Sequence, residues 1–365
     1  MAGDGYSRAI SDAEERLLAF LRAFESIQEN MRGERLGEFQ GQLRDVEPDG
    51  FDALIAALGR AEPPGSMRRF HDAFTAGIRH LGNASRTFLN ASESNYSLAA
   101  LDLRRALCRG LNLLYGIREH TPGLQEYWLL PDAMAEKDVL ETPSPDADAA
   151  VGVIHRRRPA PRADYSLYVP ENYTPKREWP LILCLHGAYG RGDHFIWSWL
   201  RPAKSRGYML LAPKSLDVTW SILQPQRDIR SVAETLEEVC GEYSVDRGRV
   251  YLAGLSDGGT FTYLLGLGRP DLFAGIAPVA ADFTGMLDDI LRRRQGQELP
   301  ICIVHGLHDH IFPVDAIRKG HSLLTRLGYN ARYEELPDWG HSHCSGINER
   351  LVMPWFEGLR ETPSP

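Results

Sequence analysis

Three residues at wide intervals have the types needed for nucleophilic chemistry: Ser256 in RVYLAGLSDGG, Asp309 in HGLHDHIFP and His341 in LPDWGHSHC. A serine hydroxyl is a poor nucleophile until a base takes its proton, and an imidazole base needs an acid to fix its tautomer. Ser256 lies between Gly254 and Gly258, after a strand-like RVYLAG and before a helix-like TFTYLLG. A G-x-S-x-G turn this sharp strains the serine backbone, requires neighbours without side chains, and leaves Oγ exposed at a helix N-terminus. Asp309 follows the apolar run ICIV, which puts it in the loop leaving the C-terminal end of a strand, and His341 follows a glycine near the chain end. The order Ser, Asp, His is one in which such a relay occurs, and loops at the C-terminal ends of parallel strands are where ligands bind. The clusters HDH at 308–310 and HSHC at 341–344 have neither the helical i, i+4 spacing nor the paired CxxC of a zinc site, so no metal is expected there, and the serine relay itself needs no metal or organic cofactor.

These residues need a sheet to hold them. Eight short β-rich runs follow residue 149: VGVIHR, DYSLYVP, LILCLHG, YMLLAP, RVYLAG, AGIAPVA, PICIVHG and ARYEELP, with helical stretches between them. Strands alternating with helices imply a mostly parallel sheet, and runs such as LILCL are apolar throughout, as expected where helices cover both faces. The earlier half reads as helical. Leu17, Leu18, Leu21, Phe24 and Ile27 follow a helical period behind Ser11 and Glu14, an S-x-x-E capping box that predicts a helix start at Ser11. GFDALIAALGRA, MRRFHDAFTAGIRHLG and SLAALDLRRALCRGLNLLYG continue the pattern, the last with Leu98, Leu101, Leu107, Leu111 and Leu114 on one face, so a four-helix bundle is expected. The Pro, Asp and Ala run ETPSPDADAA reads as a linker, which sets the expected boundary near Asp148, with domains over 1–148 and 149–365.

Composition narrows the function classes. Over 365 residues, 43% hydrophobic and 25% charged is a globular balance, and the formal charge of -8 offers no basic surplus for nucleic acid or anionic membrane. The start, MAGDGYSRAISDAEERLLAF, lacks the basic and apolar regions of a signal peptide, and no run is long and apolar enough to span a bilayer, so a cytoplasmic location without stable membrane association is expected. The five cysteines, at 108, 184, 240, 302 and 344, include no CxxC and read mostly as buried thiols. The sequons at Asn83, Asn90, Asn95 and Asn172 then carry no glycan.

From about Val151 onward the chain resembles the α/β-hydrolases of the phospholipase/carboxylesterase group, with relatives among polyhydroxybutyrate-depolymerase-like and feruloyl-type esterases. The resemblance rests on YSLYVPENYTP, LILCLHGAYG, RVYLAGLSDGG, IVHGLHDHIFP and WGHSH, in the expected order. It implies an eight-stranded α/β-hydrolase fold and a Ser256–His341–Asp309 triad that cleaves small-molecule esters. It also implies an oxyanion hole made from the backbone N–H of Ala188 or Tyr189, in HGAYG, and that of Asp257. The Gly-His pairing favours His341 over His343, and the HGLHD setting favours Asp309 over Asp282, where some lipases place the acid; Asp315 and Asp338 read as surface or turn residues. Trp197, Trp199 and Trp220 are candidates for lining a substrate pocket. Only DFTGMLDDILRRRQGQE separates the sixth and seventh strands, room for one helix and no large cap, which predicts short- to medium-chain esters. A thioesterase or a prolyl-oligopeptidase-like peptidase would use the same machinery, and a non-catalytic binding module would normally have lost a triad member. The helical domain matches no family pattern; it is expected either to cover the site or to serve as an interface between copies.

Overall fold

The computed structural model describes residues 2–29, 33–47, 50–92, 95–146, 149–160, 162–283, 285–342 and 345–359; it does not describe the side chains of 2–4, 96–98, 100 and 101. The chain forms two compact units, Met1–Leu129 and Leu130–Pro365.

The second unit is built on one eight-stranded sheet: β1 Gly152–Arg156, β2 Tyr165–Val169, β3 Trp179–Leu185, β4 Met209–Pro213, β5 Val245–Leu255, β6 Gly275–Val279, β7 Ile301–Gly306 and β8 Ala331–Leu336. Their spatial order is β1-β2-β4-β3-β5-β6-β7-β8. The β1–β2 and β2–β4 pairs are antiparallel, and the rest of the sheet is parallel. Every residue of β2, β3, β4, β6 and β7 is buried, so both faces of these strands are covered, which explains why they read as continuous apolar runs. The core runs from Leu167 and Val169 through Leu181, Leu183, Leu211 and Leu252 to Ile276, Ile301 and Ile303.

The order of this sheet places the site. From β3 the chain steps to β4 on one side, then returns to β5 on the other, pairing Leu185 with Gly254. The loops leaving β3 and β5 therefore part over adjacent strands, and a crevice opens at such a switch point. Among the described residues between β6 and β7 there is one short helix, Asp288–Arg292.

The first unit contains six α-helices among the described residues: α1 Ala2–Glu29, α2 Leu36–Val46, α3 Gly50–Arg60, α4 Arg68–Leu89, α5 Tyr96–Tyr115 and α6 Pro122–Tyr127. The sequence patterns anticipated four; α2 and α6 are short and were not singled out. The predicted start at Ser11 is corrected. The helix is already running there, because Tyr6, Ile10 and Ala13 extend the buried stripe of Leu17, Leu21, Phe24 and Ile27 upstream. Glu14 instead caps a different helix: its Oε1 accepts the Leu124 N–H of α6 at 2.8 Å. On α5, Leu111 and Leu114 are buried and Leu107 is half-buried, while the side chains of Leu98 and Leu101 lie outside the described residues.

The units divide after Leu129, earlier than the expected boundary, and Asp148 itself lies outside the described residues. Residues 130–141 pack with the sheet unit because three polar ties hold them to the helix α7 Trp197–Arg206. The Leu130 N–H donates to Ser205 Oγ (2.8 Å), Arg206 pairs with Asp132 (2.6 Å) and Lys204 pairs with Glu141 (3.1 Å).

Candidate active site

Ser256 occupies the turn between β5 and the helix α8 Asp257–Gly268, with φ 55 and ψ -123. This positive φ costs a non-glycine residue about 1–3 kcal/mol and persists only where its surroundings impose it. The surroundings are tight: a Cβ on Gly254 would collide with the Gly258 carbonyl, and one on Gly258 with the carbonyls of His186 and Leu185. The Ser256 N–H donates to Val279 O (2.9 Å), which ties the turn to the end of β6. Tyr189 (φ 57) and Ala280 (φ 48) also carry positive φ, and both follow C-terminal strand ends around this turn.

The loops after β7 and β8 are stitched together, with the Leu307 N–H on Leu336 O (2.9 Å) and the His308 N–H on Trp339 O (2.8 Å). That stitching brings Asp309 to His341. His341 Nδ1 lies 2.8 Å from Asp309 Oδ2, and its Nε2 lies 3.0 Å from Ser256 Oγ. Burial opposes ionisation of Asp309, but the His341 hydrogen bond and charge, with the amides of Phe312 and Ile311, outweigh it and hold the carboxyl below its usual range. An ionised Asp309 can only accept, so Nδ1 carries the proton and Nε2 is left to take the one on Ser256 Oγ.

The sequence rivals of Asp309 and His341 lie in other settings. Asp282 is half-buried, and its carbonyl accepts the Thr260 hydroxyl at 2.7 Å. Asp315 and Asp338 are exposed, and His343 lies outside the described residues. In the HDH cluster, both oxygens of Asp309 are engaged within the protein: Oδ1 takes the Ile311 and Phe312 amides at 2.8 and 2.9 Å, and Oδ2 takes His341.

The two oxyanion candidates in HGAYG differ in availability. The Tyr189 N–H is committed to Val218 O at 3.0 Å, whereas the Ala188 N–H meets no acceptor among the described residues. Asp257 opens α8, so its N–H belongs to a first helical turn, where amides lack intrahelical partners. The three tryptophans are buried, at 6% exposure for Trp197, 0% for Trp199 and 1% for Trp220. Trp220 lies behind the HGAYG loop, its Nε1–H on His186 O (2.8 Å) and its ring stacked 5.0 Å from Phe261.

The sequence reading did not single out His305. It is 1% exposed, donates from Nε2 to Phe312 O (2.9 Å), and stands 3.7 Å from Asp309 Oδ2. Burial pushes its imidazole below the ordinary value even though the Phe312 carbonyl and Asp309 pull the other way, so it is neutral. Its only sequence signal is its place as the last polar residue of an apolar strand.

No family model matches the chain. Over 165 residues it is 29% identical to a bifunctional acetylxylan esterase/xylanase of Neocallimastix patriciarum, an alignment covering 43% of this chain and 23% of that protein. A probable feruloyl esterase C of Aspergillus niger is 24% identical over 161 residues, covering 42% of this chain and 57% of the relative. The chain thus spans well under two thirds of either curated relative. Among solved structures, a thermostable esterase superposes with a TM-score of 0.47 at 24% identity, covering 56% of this chain and 62% of that one. The mostly parallel eight-stranded sheet and the strand–serine–helix turn are those of an α/β-hydrolase fold, and the relatives that the chain resembles over part of its length are named esterases.

Proposed function

We propose that this protein hydrolyses carboxylic esters of short to medium acyl chain through an acyl-enzyme on Ser256. The observation that carries the reading is the unbroken relay from Ser256 Oγ through both nitrogens of His341 to Asp309. In the first half-reaction His341 Nε2 takes the hydroxyl proton as Oγ bonds to the carbonyl carbon, and the Ala188 and Asp257 amides receive the developing oxyanion. Collapse breaks the ester C–O bond, and His341 returns the proton to the departing alcohol. Water then repeats the sequence on the acyl-serine and releases the acid. Asp309 holds the Nδ1–H tautomer throughout and steadies the imidazolium.

The short interval between β6 and β7, with its single five-residue helix, supports the preference for small acyl groups. Among the described residues no helix is long and apolar enough to cross a membrane, and Cys108, Cys184, Cys240 and Cys302 are free thiols, which supports a reducing, cytoplasmic setting.

The test is a panel of nitrophenyl esters and acyl-CoA thioesters on purified protein and on Ser256→Ala, with fluorophosphonate labelling alongside. Loss of a triad nucleophile costs on the order of a million-fold, so the variant should be inert and unlabelled while keeping its circular dichroism. Parent-like turnover by Ser256→Ala would refute the assignment. Faster turnover of the thioesters than of every oxygen ester would move it to a thioesterase.

A further inference from the structure

The two halves of the oxyanion cradle come from different strands, one from the loop after β3 and one from the turn after β5, so something must hold them in register. A single loop does so. Residues 214–225, between β4 and the helix α9 Gln226–Glu242, contain no helix or strand, yet they reach both halves. On the β3 side, the Tyr189 N–H donates to Val218 O (3.0 Å), the Trp220 indole N–H to His186 O (2.8 Å) and the Ser215 N–H to His186 Nε2 (3.1 Å). On the β5 side, the Thr219 hydroxyl donates to Asp257 Oδ2 (2.7 Å). Neighbouring residues 218 and 219 thus grip one residue from each half.

Apolar packing anchors this loop at Trp220, with Ile222 half-buried against the core, but does little to fix Val218. Val218 is 61% exposed and Leu223 is 93% exposed; Trp220 alone among its large apolar residues is fully buried. Its conformation is set by a carboxylate from outside. Asp228, in the first turn of α9 and 1% exposed, accepts the Leu216 N–H on Oδ1 (3.0 Å) and the Ser221 N–H on Oδ2 (2.9 Å). These two bonds bracket Val218 and Thr219.

We propose that Asp228 is a positioning residue for the oxyanion cradle, acting through the loop that clamps Tyr189 and Asp257. The proposal rests on the serine-hydrolase reading above. It acts on the developing oxyanion and not on the ground-state ester, so it predicts a loss in kcat with KM nearly unchanged.

The experiment uses the full chain and four variants. Asp228→Asn is nearly isosteric but turns one acceptor into a donor facing an N–H. Thr219→Val removes the hydroxyl that holds Asp257, and Thr219→Ser retains it. Ser256→Ala tests the underlying reading. Turnover of nitrophenyl butyrate and inhibition by a trifluoromethyl ketone, whose adduct with a serine carries an oxyanion, are measured for each. Asp228→Asn should lose about 100-fold in kcat and weaken the ketone by a similar factor, the scale of one lost oxyanion donor or an ångström of misplacement, with KM within about threefold. Thr219→Val should lose about tenfold in the same two readouts, as expected for one hydrogen bond worth about 1.5 kcal/mol, and Thr219→Ser should recover it. If Asp228→Asn fails to fold, the threonine pair decides. Parent-like kcat and ketone affinity in Thr219→Val, or a loss confined to KM, overturns the proposal. Turnover surviving in Ser256→Ala would instead overturn the hydrolase reading itself.

Discussion

Replacing Asp309 by Asn probes the relay most sharply, because the surroundings dictate how the new amide must lie. Asp309 Oδ1 receives two backbone N–H groups, from Ile311 and Phe312. An amide nitrogen placed there would face two donors, so the Asn oxygen takes that position and its NH2 takes the position of Oδ2. The NH2 then points at His341 Nδ1, which lies 2.8 Å from Oδ2 in the parent. A donor at that distance forces Nδ1 to accept, and the proton moves to Nε2, 3.0 Å from Ser256 Oγ. The base is then blocked by its own hydrogen, with the fold intact. A tautomer inversion of this kind costs about 10⁴ in kcat, or about 5 kcal/mol of transition-state stabilisation. Steady-state kinetics on nitrophenyl butyrate should show that loss with KM nearly unchanged and a melting temperature close to the parent's. A loss under tenfold, or a larger loss in Asp282→Asn, would refute the reasoning and move the acid to the loop after β6.

Lys204 is 1% exposed as a side chain and lies between the buried Glu171 (2.6 Å) and the half-buried Glu141 (3.1 Å), so Lys204→Met would remove the cation these carboxylates share. Urea unfolding should show a loss of about 3–5 kcal/mol, the scale for breaking a buried pair from one side. On acidification, His305 is depressed by burial, so the unfolded chain takes up a proton near its ordinary value of about 6.5 before the folded one does. Stability is therefore complete above that pH and falls as the pH drops below it, a decline to which the similarly depressed His155 contributes. Asp309, also depressed, adds stability above about pH 3.9 that is lost as pH falls through its lower folded value. Melting temperatures from pH 8 to 5 should therefore decline, and less steeply in His305→Phe; an equal slope in both proteins contradicts the assignment. With one short helix described between β6 and β7, a butyrate ester should be hydrolysed faster than an emulsified long-chain triacylglycerol, and the reverse order would contradict the preference for small acyl groups.

What the sequence made legible follows the range of the forces involved. The sheet was readable because burial on both faces leaves runs such as Leu181–Leu185 without polar interruption, and the turn at Ser256 because only glycine fits at 254 and 258. The relay residues each carried a local setting, a glycine turn or a strand end. The helix start was misread because a capping box is a local signal, and at Ser11 the buried stripe through Tyr6 and Ile10 overrides it. Which HGAYG amide is left available could not be read from the motif because a distant residue decides it: Val218, far along the chain, takes the Tyr189 amide. Trp220 misled for the same reason. An indole in a loop beside a site suggests a pocket wall, yet here its N–H reaches the His186 carbonyl and its ring covers Phe261, so it supports the cradle from behind. Residues that touch the reacting atoms are constrained by chemistry and leave motifs, whereas those that aim them are constrained by a hydrogen bond to one distant backbone group. Asp228 in an acidic first helical turn looks like any helix-stabilising carboxylate until its two amide partners are located across the loop.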